Sequence, residues 1–225
     1  TQAELTSLCN ELTDQLNTLS DSLGRDSDGL ADMGKDLQDR ARAAMFSLGA
    51  TYPELSGYYP QPKGLLFPAF LSVQNLSGIY SPFTIEANYN SAMVSYNLPF
   101  TICHELSHLR GFMQEEEANF IGFLACVNAD DTAFNYSGYL LGWIYATNEL
   151  YEVDYDTFEE IYNRLSDNVK ADLSANSSFW KRYDSKVAEV SGQINDHYLK
   201  ANGQSDGIKS YDRMVDLMIT WFRSK

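Results

Sequence analysis

The stretch TICHELSHLRGFMQEEEANFIGFLAC, Thr101 to Cys126, decides how this chain is read. His104 and His108 are four positions apart, so on a helix both imidazoles leave the same face about one turn apart and can share one ion. Glu105 sits beside them. At typical frequencies of roughly 2% for His and 6% for Glu, a His-Glu-x-x-His pattern arises by chance in on the order of one such chain in a couple of hundred. The chain has three histidines and two of them fall here, which argues against a merely solvated polar face.

A catalytic Zn²⁺ takes three protein ligands and leaves one position to water, whose pKa falls toward ~7. Glu105 is the candidate general base, accepting the water's proton during attack on a carbonyl and later passing it to the leaving amine. The third ligand must come from elsewhere. The extended pattern HExxHxxGxxH of astacin and matrix-protease sites is matched as far as Gly111, which suits a left-handed turn ending the first helix. Its last position here is Gln114. A carboxylate follows at Glu115, and two histidines with one glutamate are the ligand set of the glutamate zincins.

Glu115, Glu116 and Glu117 compete for that place, because successive helical residues rotate by about 100° and cannot all face one ion. Glu115 shares a face with Asn119, Gly122 and Cys126, small residues that let this helix approach the histidine helix closely. Asn119 is also placed to hydrogen-bond a ligating histidine from behind. Glu117 shares its face with Ile121 and Leu124, an ordinary core stripe. Glu115 is favoured, Glu117 is the alternative, and Glu116 is expected to be solvated.

Around this stretch the pattern is mostly helical. Leu5, Leu8, Leu12, Leu16, Leu19 and Leu23 form one amphipathic face, broken by GRDSDG, and a second helical pattern runs from Leu30 to Leu48. This arm, residues 1–50, reads as scaffold rather than as a stalk or docking surface. Tyr52 to Pro68 is rich in proline, glycine and tyrosine and reads as irregular; Ser77 to Asn90 carries strand-forming residues between turn formers and reads as one or two strands. Helical patterns follow over Phe100–Arg110, Glu115–Val127, Tyr136–Tyr151, Thr157–Leu165, Ser177–Leu199 and Ser210–Phe222. The expected fold class is α+β, mostly helical, with a small sheet next to the histidine helix and residues 51–225 as one domain.

Composition narrows the partners. A formal net charge of -15 repels phosphate backbones and anionic lipid, so nucleic acid is not an expected partner. Cys9, Cys103 and Cys126 form neither a disulfide framework nor a zinc ribbon, and Cys103 and Cys126 read as small buried hydrophobes. No run has the ~18 apolar residues that a membrane span needs. The chain opens at Thr1 without a leader pattern, so any membrane anchor is expected upstream.

Taken together, FTICHELSHLRGFMQEEEANFIGFLACVNADD, the preceding SGIYSPFTIEANYN and the later INDHYLKANGQSDGIKSYDRMVDLM resemble a bacterial domain-of-unknown-function family of membrane-anchored HExxH proteins. The resemblance runs from about Tyr52 to the C-terminus. It implies transmembrane helices upstream and a zincin-like domain outside the cytoplasm. EEEANF is similar to the ExxAN or ExxAD segment of other glutamate zincins, which maps their zinc-binding glutamate onto Glu115 and their Asp or Asn onto Asn119. The gap between His108 and Glu115 is shorter than most of them have. By the same resemblance, IYSPFTIEANYN is a candidate edge strand for pairing with a peptide substrate; an internal strand holding the core is the other reading.

The expected activity is therefore zinc-dependent hydrolysis of a peptide or related amide bond, with His104, His108 and Glu115 (alternatively Glu117) on Zn²⁺. Transition-state donors are sought in the C-terminal segment, where Tyr198 and Tyr211 are candidates and His197 is a weaker one. A non-catalytic extracytoplasmic binding or sensor domain on the same fold is the rival, although an intact Glu105 is of no use to it. An amidase acting on cell-wall peptides is a third reading that the sequence does not separate from the first.

Overall fold

The computed structural model describes residues 1–184 and 213–224. It is an α+β structure, mostly helical with one three-stranded sheet. Helix α1 (Gln2–Ser22) starts at a capping box in which Thr1 accepts from the Glu4 N–H and the Glu4 side chain reaches back. Its leucine stripe is buried: Leu5, Leu8, Leu12 and Leu16 pack into the main core, along α6 (Thr132–Val153). Trp143 of α6 donates to the Thr13 hydroxyl at 2.9 Å, closing the polar gap between these two helices.

The second helical pattern is corrected at its start. Residues 30–36 are not helical, and α2 runs Leu37–Thr51. Gly29, Gly34 and Asp36 have positive φ, and Ala31 forms an isolated bridge with Arg25, so the chain loops before it can wind. That loop is fastened from a distance. Asp172, fully buried, accepts from Arg25 at 2.7 Å, from the Ala31 N–H at 2.9 Å and from the Tyr136 hydroxyl at 2.5 Å.

The proline-rich stretch contributes β1 (Lys63–Gly64), which local pattern did not foretell, and the apolar run after it holds the short helix α3 (Ala69–Val73). The strand signal at 77–90 resolves into two strands, β2 (Gly78–Ser81) and β3 (Glu86–Tyr89). The order is β1-β3-β2, with β1 parallel and β2 antiparallel to the central β3, and Tyr80 opposite Ala87. Among the described residues, β2 is therefore an edge strand.

The sheet lies on α4 (Asn97–His108), which in turn packs on α5 (Glu115–Val127). Ser137 of α6 donates to the Tyr96 carbonyl at 2.5 Å and accepts the Phe100 N–H at 3.1 Å, pinning the start of α4. Asp131 caps α6 through the Ala133 and Phe134 N–H groups and also holds Arg40 of α2 by two 2.7 Å hydrogen bonds. Three more helices complete the described chain: α7 (Tyr155–Asn163), α8 (Asp167–Lys181) and α9 (Arg213–Arg223).

The expected helix Ser177–Leu199 is corrected for the part described. α8 begins ten residues earlier, capped by Ser166 on the Val169 N–H, and Tyr183 already lies in a turn. Its first half is polar on the surface but buries Val169 and Asp172, so it carries little hydrophobic signal. Cys9, Cys103 and Cys126 are free thiols in the core.

Candidate metal centre

Two helices and the turn between them bring three ligand atoms together. His104 and His108 lie on the last turns of α4, and Gly111, at φ 91, lets the chain reverse so that α5 opens with Glu115. The Nε2 atoms of the two histidines are 3.2 Å apart; Glu115 Oε2 is 3.3 Å from His104 Nε2, and its Oε1 is 3.9 Å from His108 Nε2. Ligands bound at 2.0–2.1 Å to one tetrahedral ion sit about 3.3–3.4 Å from one another. The observed spacings fit that figure closely for two of the three pairs.

Protonation sharpens the fit. His108 Nδ1 lies 2.7 Å from the Phe112 carbonyl, which can only accept, so Nδ1 carries the proton and Nε2 presents a lone pair. The other imidazole is backed by Asn119, buried on α5: His104 Nδ1 and Asn119 Nδ2 are both buried without a hydrogen-bond partner. Turning the amide so that its oxygen faces Nδ1 gives that nitrogen an acceptor and leaves Nε2 to face Glu115. Two imidazole nitrogens and a carboxylate oxygen thus converge within 4.8 Å, a set that could hold one cation; without it, a proton on His104 Nε2 donated to Glu115 joins the pair.

The small-residue face of α5 explains the closeness. A Cβ at Gly122 would stand 3.3 Å from the His104 nitrogen and the Phe100 carbonyl, so a larger residue would wedge the two helices apart. Of the three glutamates, the structure brings Glu115 to the histidines and leaves Glu117 exposed. Glu116, expected in solvent, is instead 5% exposed and ion-paired with Arg213 of α9 at 3.2 Å. Its partner comes from far along the chain, where no local pattern could reveal it.

The site's electrostatics follow from burial. Burial disfavours charge on His104, but the Glu115 hydrogen bond and charge, helped by Glu105 and Asn119, outweigh it and lift the imidazole to about 8. His108 is driven down by burial and by His104, against Glu115 and the Phe112 carbonyl. Glu115 is held below the usual carboxylate range despite its burial, by His104 first and then His108. Glu105 is pushed up to about 8, chiefly by burial, with His104 opposing and Glu115 adding.

Glu105 lies next to this cluster, its Oε1 4.0 Å from His104 Nε2 and its Oε2 buried without a partner. The carboxylate is covered by β2: a Cβ at Gly78 would fall 2.8 Å from both Cγ and Cδ of Glu105. Two residues along the same strand, on the same face, Tyr80 tilts over His108, ring centroids 5.9 Å apart. From α6, Tyr145 is near enough for the Glu115 charge to add to burial in raising its phenol. Gly78, Tyr80 and Tyr145 escaped the sequence reading; Tyr80 was within the strand already noted, and nothing local marks Tyr145 among fifteen tyrosines. Tyr198, Tyr211 and His197 lie outside the described residues.

No helix among the described residues is long and apolar enough to cross a membrane. Among curated proteins and solved structures, none matches the chain. The family model described as a protein of unknown function (DUF3810) matches residues 1–219, so the N-terminal helices fall within it as well as the cluster of His104, His108 and Glu115, and the chain belongs to that family.

Proposed function

We propose that this domain is a zinc-dependent hydrolase of glutamate-zincin type, cleaving a peptide or related amide bond. The observation that carries the reading is the convergence of His104 Nε2, His108 Nε2 and a Glu115 carboxylate oxygen, with Glu105 at its edge. When bound there, zinc would supply an acidified water and polarise a carbonyl. Phe112 and Asn119 orient the two imidazoles, and Glu115 supplies the negative charge that offsets the ion. Glu105 takes the water's proton on a carboxylate oxygen and returns it to the leaving amine, while β2 above it excludes bulk water. Among the described residues, Tyr80 and Tyr145 offer phenols beside the cluster for a developing oxyanion, while Tyr198 and Tyr211 lie outside them. As part of the same reading, the domain acts outside the cytoplasm beneath an upstream anchor; that element rests on the resemblance alone.

One observation favours a second reading. Glu105 is 5% exposed beneath Gly78, a tight fit for a base that must meet water and substrate. A non-catalytic domain that holds a metal to bind a ligand would tolerate such closure. Purified protein assayed on a peptide library with and without chelator separates the two. Chelator-sensitive cleavage, with Glu105→Gln keeping zinc and losing at least about 10²-fold in rate, supports the hydrolase. Stoichiometric zinc without any cleavage supports the binding domain.

A further inference from the structure

From Gly64 to Ile85 the chain carries no charged residue and no histidine, although charged residues make up 21% of the whole. The run is bracketed by Lys63 and Glu86, which pair with each other and cancel at its base. Within it Leu66, Phe67, Phe70, Phe83 and Ile85 are 92, 80, 66, 95 and 60% exposed. Scattered exposed hydrophobics are ordinary; five large ones in a single uncharged lobe mark an interaction surface.

The lobe has an inside and an outside. Along β2, Gly78 and Tyr80 face Glu105 and His108, so the intervening Ile79, 46% exposed, faces away from the site. Position 85 tells the same story through the backbone. Ile85 has φ 55, a left-handed conformation that glycine or asparagine adopts at little cost and a β-branched side chain does not. An apolar group stands at this turn against the local conformational preference.

Three observations choose the occupant. Side chains exposed by four-fifths or more project from the molecule; they do not line a groove, which sets aside an extended peptide lying between them. A net charge of -15 on each copy opposes self-association through this lobe. The absence of any cation in the lobe, with that same net charge, disfavours an anionic surface and leaves an uncharged apolar one. We propose that the lobe from Gly64 to Ile85 docks on a bilayer of electrically neutral lipid, with Leu66, Phe67 and Phe83 entering the interface. Because the inner side of β2 covers Glu105 and His108, docking sets the metal-ligand cluster against the membrane surface. This inference does not depend on the chemistry proposed above.

The test is sedimentation of the 225-residue chain with phosphatidylcholine vesicles, beside the double variant Phe67→Ser, Phe83→Ser. Wild type is expected to pellet with the vesicles, unaffected by 1 M salt, and the variant to partition at least about tenfold less with an unchanged melting temperature. A Phe83→Trp variant is expected to shift its added emission to the blue on vesicles and to be quenched by a lipid-embedded quencher. Wild type left in the supernatant, equal pelleting of the double variant, or emission from the Phe83→Trp variant that is blind to lipid overturns the proposal. Binding confined to anionic vesicles and lost in salt overturns it too. So does lipid-free dimerisation that the double variant abolishes, which assigns the lobe to a second copy.

Discussion

Gly78 rests directly on the Glu105 carboxylate, so closely that a methyl group in place of its hydrogen would stand 2.8 Å from Cγ and Cδ. Gly78→Ala must therefore displace either the edge strand or the carboxylate. Overpacking of this kind costs about 1–3 kcal/mol, which urea unfolding would register. The three nearest atoms all belong to Glu105, so zinc stoichiometry should stay at the wild-type value while any hydrolytic rate falls. Unchanged stability would show that the strand does not press on the base.

The competition between glutamates yields a direct contrast. Glu115→Gln removes the carboxylate charge that the structure aims at both histidines, whereas Glu117→Gln alters an exposed side chain. Metal analysis after dialysis is expected to find zinc lost from the first variant and retained by the second. The reverse pattern would transfer the ligand role to Glu117.

Glu105 also makes a prediction for the chelated protein. Its folded pKa is raised to about 8 from an ordinary value of 4.5, so the folded state keeps a proton that the unfolded chain releases. Stability on this account is full below about 4.5, falls as pH rises toward 8 and is level beyond. Glu105→Gln lacks that slope. In chelator, the difference in melting temperature between variant and wild type should move in the variant's favour from about pH 5 to about pH 8. A constant difference would mean that Glu105 ionises freely in the fold.

Far from the site, Asp172 fastens the loop before α2 to α6 and α8 by accepting from Arg25, Ala31 and Tyr136. Asp172→Ala strands a guanidinium that is only 17% exposed and leaves a buried N–H and hydroxyl without their acceptor. The expected loss is about 3–5 kcal/mol in equilibrium unfolding, with zinc binding preserved in the folded fraction. A loss under about 1 kcal/mol would make the cluster dispensable.

What could be read from the sequence was whatever is encoded over a few neighbouring positions. The spacing of His104 and His108, the turn at Gly111 and the small face of Glu115, Asn119 and Gly122 are all local, and the structure assembles them at one point. The strands at 77–90 announced themselves by composition, and the leucine stripe of α1 by its period. Failures lie where a distant partner decides. Glu116 is paired with Arg213, Ala31 in the loop before α2 is held by Asp172, and β1 is paired with β3, each a partner distant in sequence. Tyr80 and Tyr145 reach the site through sheet and bundle packing, which no window of sequence contains.

The turn at Gly111 has one further consequence, for the order in which the molecule comes together. His104, His108 and Glu115 all fall on either side of a single reversal, so the chain closed between the ligands is short and its closure entropy small. If the cluster holds an ion, that ion would need only this helix–turn–helix piece to meet all three residues, before α1, α6 or the sheet have docked. On the proposed zinc reading, metal capture would then act as an early nucleus around which the distant contacts accumulate, rather than as the last part fitted to a finished frame.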